Sequence, residues 1–263
     1  MAKREQDIGT DVAELQRSDE DISNKPKLII AAGRGKTGKS TILRLALEQC
    51  IGRGGTPVIA DGDRMNPTLL ANFPDARRPR SGEDEDVRRW LNALVDEQIE
   101  NRSTVFLDLG GGDQSLRLWA RELDLAPFLV EHGIVPVLLH VLGSDLDDLT
   151  YLRDLETIYA PHHTAIVLNE GMVPSGWSAE AAFEPFFTRP EFTAAVDRGA
   201  RVVRMPRLGC MQQIDRCRLS FADAEQGKVK PGQDKIGPTM RQMISIWRKE
   251  LATSLAPIAG WLS

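Results

Sequence analysis

Residues 31–47 read AAGRGKTGKSTILRLAL and follow directly on the apolar run KLII, residues 27–30. The stretch matches G-x-x-x-x-G-K-[ST], with Gly33, Gly38, Lys39 and Ser40 in the fixed places. Glycines there let the backbone turn tightly, so that successive N–H groups from Gly35 through Lys36, Thr37, Gly38, Lys39, Ser40 and Thr41 can converge on phosphate oxygens. The helix expected from about Gly38 adds the positive end of its dipole. Lys39 is placed to bridge β- and γ-phosphates, and the Ser40 hydroxyl to ligate Mg²⁺. The competing reading is a glycine-rich turn that binds nothing. Arg34 and Lys36 add two cations inside the loop, more than holding one nucleotide requires.

Outward from this stretch, short β-rich runs alternate with helical patterns. The runs are KLIIAA, PVIAD, TVFLDL, VPVLLHV, TAIVLN and ARVVRMP. Continuous apolar runs suit strands buried on both faces of a parallel sheet. Helices are predicted at 40–51, 84–101, 115–123 and 145–159; in the second, Val87, Trp90, Leu91, Leu94 and Val95 make one stripe. The fold expected is α/β, a doubly wound and mostly parallel sheet with helices on both faces, binding its ligand at the carboxyl ends of the strands. Residues 1–25 read as an acidic, flexible arm and 26–263 as one domain ending in an amphipathic helix. Residues 76–86, ARRPRSGEDED, read as an exposed loop with Ser81 and Asp84 at capping-box spacing. Trp177, Phe183, Phe186, Phe187 and Phe192 read as cover for the sheet.

Composition narrows the function classes. The net charge of −5 argues against a protein permanently coated in nucleic acid, yet residues 198–249 are locally basic and permit a contact with a polyanion. No apolar stretch approaches the ~20 residues of a membrane span, and the polar start lacks a signal-peptide core, so a cytoplasmic protein is expected. Cys50, Cys210 and Cys217 lack metal-ligand spacing and read as reduced thiols, which leaves zinc without a site. Met240, Ile244, Trp247, Leu251, Leu255, Ile258 and Trp261 recur at spacings of three and four. The polar face of that helix is not rich in Lys and Arg, which favours packing on the sheet over lying on a membrane.

Three carboxylates complete the chemistry. Asp108 ends the run TVFLD, where it can hold Mg²⁺ through a water, and Gly110, Gly111 and Gly112 give the next loop room to move. Asp61 and Asp63 end the second strand, two residues apart, and need a shared cation to coexist. The roles expected are metal ligation by Asp61 and orientation of an attacking water by Asp63; the alternative is a solvated Asp-Gly-Asp turn.

In this ordered series the chain resembles the deviant Walker A ATPases of the ParA/MinD group, and within it the plasmid partition and mobilisation branch. The resemblance rests on the loop with an early basic residue, on Asp61, Asp63, Asn66, Pro67 and Thr68, and on the glycines after Asp108. AIVLNE and VVRMPRLG extend it to about Leu208. It implies ATP and Mg²⁺ as cofactors, with adenine read by Asn169 and flanked by Met205 and Pro206. It also implies a homodimer that closes on ATP, with Arg34 in the place of the lysine that reaches the partner's nucleotide. The pattern K-G-G-x-G-K-[ST] becomes RGKTGKS here, so Lys36 stands where a glycine is usual. Lys36 as the reaching residue, or an ordinary loop in a monomer, are the alternatives. Slow, partner-stimulated ATP hydrolysis by Asp63, Lys39 and Arg34, an adaptor protein, and DNA contact through the arginines between Arg198 and Arg218 complete the expectation. Competing with it are a small-molecule kinase or ATP-dependent ligase on the same fold, and a regulatory protein that holds nucleotide without hydrolysing it.

Overall fold

The computed structural model describes residues 21–111 and 114–263. In chain order the elements are β1 Lys27–Ala32, α1 Lys39–Gly52, β2 Val58–Asp61, α2 Thr68–Asn72, α3 Asp84–Asn101, β3 Val105–Asp108, α4 Ser115–Leu123, α5 Leu125–Glu131 and β4 Val135–Leu142. There follow α6 Asp147–Glu156, β5 His163–Asn169, α7 Ala179–Phe183, α8 Pro190–Asp197, β6 Arg201–Met205, α9 Met211–Cys217, α10 Phe221–Gln226 and α11 Pro238–Ser254, with a closing 3-10 turn at Ala256–Leu262. The six strands form one sheet in the order β2-β3-β1-β4-β5-β6, with every pair parallel.

Alternation along the strands divides the core in two. Ile29, Ala31, Phe106, Val137 and Val141 face α1 and the C-terminal helices, while Leu28, Ile30, Leu107 and Leu138 face α3, α4 and α5. A strand buried on both faces must be apolar throughout, which is why these runs show no polar alternation. Phe183, Phe186 and Phe192 cover the end of the sheet with Ile166 and Leu168, whereas Trp177 and Phe187 remain exposed. The stripe of α11 is buried as expected: Ile244, Trp247 and Leu251 pack on the sheet with Leu255, Ile258 and Trp261. At about 2 kcal/mol for each buried side chain, the stripe contributes on the order of 10 kcal/mol against the entropy of ordering it. No helix among the described residues is long and apolar enough to cross a membrane.

Two sequence expectations change. Residues 1–20 of the arm lie outside the described residues, but its last five belong to the body. Ile22 is 2% exposed in the core, and the buried Lys27 ammonium donates to the carbonyls of Ser23, Lys25 and Ser263. At the start of α3 the capping box does not form, because the Ser81 hydroxyl donates to Asp86 at 2.6 Å and accepts from the Glu83 amide.

His140, on β4 beside Ala32, is fully buried with neither ring nitrogen partnered among the described residues, in edge contact with Tyr151 at 5.6 Å. Burial pushes its pKa down to about 3, and the positive charges of Arg117 and Lys39 act the same way. The folded value lies below the unfolded one, so the stability of the neutral ring is complete above about pH 6.5 and is lost as pH falls. Between about pH 6.5 and 3 this group should remove about 1.4 kcal/mol per pH unit. His140→Phe should therefore flatten the acid limb of the urea midpoint plotted against pH. An unchanged slope would show that the ring is not buried in neutral form.

Candidate functional site

Between β1 and α1 the chain makes a tight loop whose shape dictates its residues. Gly33 and Gly38 have φ of 146° and 103°, and a Cβ would lie 2.4 Å from the Val141 carbonyl oxygen at Gly33 and 2.5 Å from Asn169 Nδ2 at Gly38. Both positions are closed to side chains by backbone and by space. Lys36 also has a left-handed φ, 67°, in a place where a glycine would be unstrained. The Lys39 ammonium and the Thr37 hydroxyl both donate to the Arg34 carbonyl, at 3.1 and 3.0 Å, which closes the loop on itself. Burial lowers the Lys39 pKa, while Asp108, Asp63 and Asp148 act to raise it. Gly38, the residue before α1, has no side chain to cap the first turn, which leaves its amides to meet an anion.

Asp108 stands in register with Ala31 and Asp61 at the ends of three adjacent strands. It is fully buried, and neither carboxylate oxygen has a hydrogen-bond partner among the described residues. Burial raises its pKa to about 7; the Ser40 hydroxyl beside it, outside hydrogen-bond geometry, and Lys39 pull it down, while Asp61 and Asp63 push it up. An unpartnered carboxylate next to a hydroxyl is a hard oxygen donor set, and it fits Mg²⁺. Behind it the chain lies directly on the phosphate loop: a Cβ at Gly111 would be 2.4 Å from Gly35 Cα and 2.7 Å from Lys39 Nζ. Gly112 lies outside the described residues.

The Asp61 carboxylate, expected to ligate metal, is engaged with backbone amides. Its oxygens accept the amides of Asp63 at 3.2 Å and Leu70 at 2.9 Å, so it organises the loop that follows β2. Burial raises its pKa, with those two amides opposing. Asp63 Oδ1 accepts the amides of Met65 and Asn66, both at 2.9 Å, which orients the carboxylate.

Two clefts meet at the loop. One, of about 710 Å³, is lined by Gly35, Lys39, Ser40, Asp63, Met65 and Gly111. The other, of about 620 Å³, is lined by Asn169, Met205, Pro206, Leu208, Val173 and Gln212. Lys36, Gly38 and Thr41 belong to both, so the loop is a saddle between a cleft lined by Lys39, Ser40 and Asp63 and one walled in part by Met205, Pro206 and Leu208. The fold is that of a P-loop NTPase.

In this P-loop NTPase fold, Asn169 stands at the expected wall, but its amide is already spent. Nδ2 donates to the Thr37 carbonyl at 2.7 Å and Oδ1 accepts from Gly171 at 2.9 Å, so it braces the phosphate loop. Pro206 is braced in turn by Trp247, whose Nε1 donates to its carbonyl at 2.7 Å. Arg34 lines neither cleft. Its guanidinium meets Asp145 at 3.0 Å, Asp148 at 3.4 Å and Asp147 at 3.8 Å, in the segment after β4. The arginines proposed to meet DNA are largely engaged within the chain: Arg198 with Glu156, Arg201 with the Pro257 carbonyl, Arg204 with Glu170, and Arg207 with the Val173 carbonyl. Arg216 and Arg218 are exposed. Sequence reasoning missed Arg64, which lines the phosphate cleft, and Arg78, which donates to the carbonyls of Asp61 at 3.4 Å and Asp63 at 2.8 Å. Nothing in residues 76–86 marks Arg78 out among its neighbouring arginines.

A family model described as Zeta toxin matches residues 12–110, less than half of the chain. No curated protein matches it. Among solved structures, the MinC:MinD cell division protein complex of Aquifex aeolicus is similar at 10% identity and TM-score 0.48, over 85% of this chain and 95% of that one. FtsY of Thermotoga maritima is similar at 15% identity and TM-score 0.48, over 74% of this chain and 67% of that one. FtsY of Mycoplasma mycoides is similar at 13% identity and TM-score 0.39, over 61% of this chain, which spans 59% of its length.

Two substitutions test the strain and the charge held here. Lys36→Gly should raise the unfolding free energy by about 0.5–1 kcal/mol by relieving the left-handed backbone, whereas Lys36→Ala should not. Asp108→Asn should stabilise the metal-free protein near pH 7.5 by on the order of 2–4 kcal/mol and abolish any rise of the melting temperature with Mg²⁺ and nucleotide. A melting temperature lowered by Asp108→Asn would show that the carboxylate is not an uncompensated charge.

Proposed function

We propose that the chain is a Mg²⁺-dependent ATPase that works as a dimerising switch, in partition, positioning or mobilisation of DNA, and that a partner protein sets its rate. ATP would lie across the saddle, with phosphates in the cleft of Lys39 and Ser40 and base in the cleft of Asn169, Met205 and Pro206. Asn169 would then position the loop and meet the base only by exchanging one of its present bonds. Ser40 and Asp108 would hold Mg²⁺, which would neutralise charge developing on the phosphates. Lys39 would hold the phosphate oxygens, and Asp63 would orient the attacking water through the carboxylate oxygen that is not spent on Met65 and Asn66.

The observation that carries the dimer is the place of Arg34. It extends from the phosphate loop, yet its guanidinium is 39% exposed beside the acidic segment 145–148 and lines neither cleft of its own chain. A cation so placed can serve a nucleotide held by a second copy. DNA contact without sequence preference would use the exposed Arg216 and Arg218 and would weaken steeply with salt. Light scattering with Mg²⁺ and a non-hydrolysable ATP analogue should give the mass of a dimer, and ADP or the Arg34→Ala variant should give a monomer. A monomer in every state would remove the switch. Asp63→Ala should lower turnover on the order of 100-fold; unchanged turnover would remove Asp63 from the chemistry.

A second reading, a small-molecule kinase or ligase, is favoured by one feature. A further cavity of about 470 Å³, with Trp119, Leu91, Arg88 and Ser115 in its walls, shares Arg64 with the phosphate cleft and could admit an acceptor. Rapid turnover by a monomer with no macromolecule present would favour it.

A further inference from the structure

We infer that Arg78 is a positioning residue for Asp63, an inference that rests on the role proposed for that carboxylate. The chain reaches the site from outside the sheet. Residues 76–78 run along the free edge of β2, where the Arg77 amide donates to the Ile59 carbonyl at 2.8 Å and the Asp61 amide donates to the Arg77 carbonyl at 2.9 Å. The Arg77 side chain meets Glu97 of α3 at 2.6 Å, which fixes this short added edge from its outer side. Arg78 is thereby aimed at the turn after β2. Its Nε and Nη2 reach the carbonyls on either side of Gly62, those of Asp61 and Asp63.

The turn is held from three directions. From the sheet, the Gly62 amide donates to the Asp108 carbonyl at 2.8 Å, and a Cβ at Gly62 would lie 2.7 Å from Leu109 and 3.1 Å from Trp90. From within, the Asp61 carboxylate takes the amides of Asp63 and Leu70. From solvent, Arg78 takes the carbonyls of Asp61 and Asp63. The first two anchors fix the amide side of the turn, and the Asp63 carboxylate holds the amides of Met65 and Asn66 beyond it; Arg78 adds the hold on the carbonyl of the peptide that leaves Asp63. Rotation of that peptide would swing Asp63 in the phosphate cleft. A planar, two-donor fork suits this task, because it binds both carbonyls at once and sets the angle between them.

Arg78 is exposed, and two such bonds contribute only about 1–2 kcal/mol to stability. A role confined to the fold would therefore leave turnover almost untouched, while misplacing a water-orienting carboxylate by a fraction of an ångström would not. The test is steady-state Mg²⁺-ATP turnover, with melting temperatures, for wild type, Arg78→Ala, Arg78→Lys, Asp63→Ala and the Arg78→Ala/Asp63→Ala double variant. Arg78→Ala should lower kcat on the order of 10-fold with KM for ATP and melting temperature nearly unchanged. Arg78→Lys should recover part of the loss, because one ammonium binds one carbonyl. In the Asp63→Ala background Arg78→Ala should add nothing. Wild-type turnover in Arg78→Ala, beside an impaired Asp63→Ala, overturns the inference and leaves the role of Asp63 standing. Equal losses from Arg78→Ala in both backgrounds also overturn it, because Arg78 then acts without Asp63. Undiminished turnover in Asp63→Ala, or no turnover in the wild type, overturns the reading of Asp63 and the inference with it.

Discussion

One carboxylate, Asp108, sits buried at the end of a central strand with no hydrogen-bond partner among the described residues. Everything around it answers to that cost. A charge in this position is tolerable only where a rigid body surrounds it, and the parallel sheet, apolar on both faces, provides one. The P-loop is pressed against the same strand ends, with Gly33 on the Val141 carbonyl, Gly38 on Asn169 and Gly35 on Gly111. Stability is given up at the site and recovered in the two halves of the core, as is common where a polar centre awaits its ligand.

Sequence reading succeeded where the path of the backbone follows from local covalent geometry. The loop 33–41 could be read because left-handed glycines and a following helix leave little choice. The strands were legible because burial on both faces demands unbroken apolar runs, and α3 because its stripe repeats cleanly. What escaped was long-range and hydrogen-bonded. Nothing in DGD tells whether Asp61 turns its oxygens to a metal or to the amides of Asp63 and Leu70. The short helices α5, α9 and α10 carry too few turns to show a period. The destination of Arg78 depends on an edge pairing between residues 17 positions apart, which no local pattern encodes.

The basic character of residues 198–249 shows how charge counted along a chain differs from charge available in space. Arg204 and Arg207 tie β6 to the turn after β5, and Arg198 ties the end of α8 to α6. Arg44, which drew no notice in the sequence, is buried in α1, where it pairs with Glu48 and Asp215 and lies 4.2 Å over the Phe221 ring. Glu48 in turn accepts the Phe221 amide. The helix that opens at the P-loop is thus locked to the C-terminal third of the chain by paired ions with apolar cover, an arrangement that resists loss of either partner more than it adds net stability.

The ammonium of Lys27 has a practical meaning for anyone handling the molecule. It gathers the carbonyls of Ser23 and Ser263, so the first and last described segments meet at the start of β1. Lys27 begins β1, whereas the saddle lies past the other end of that strand. A fluorophore, affinity handle or surface tether joined to Ser263 therefore stands at the pole opposite the clefts. Immobilised there, the molecule would present both clefts and Arg34 to the solution, the orientation in which capture of a second copy can be watched directly.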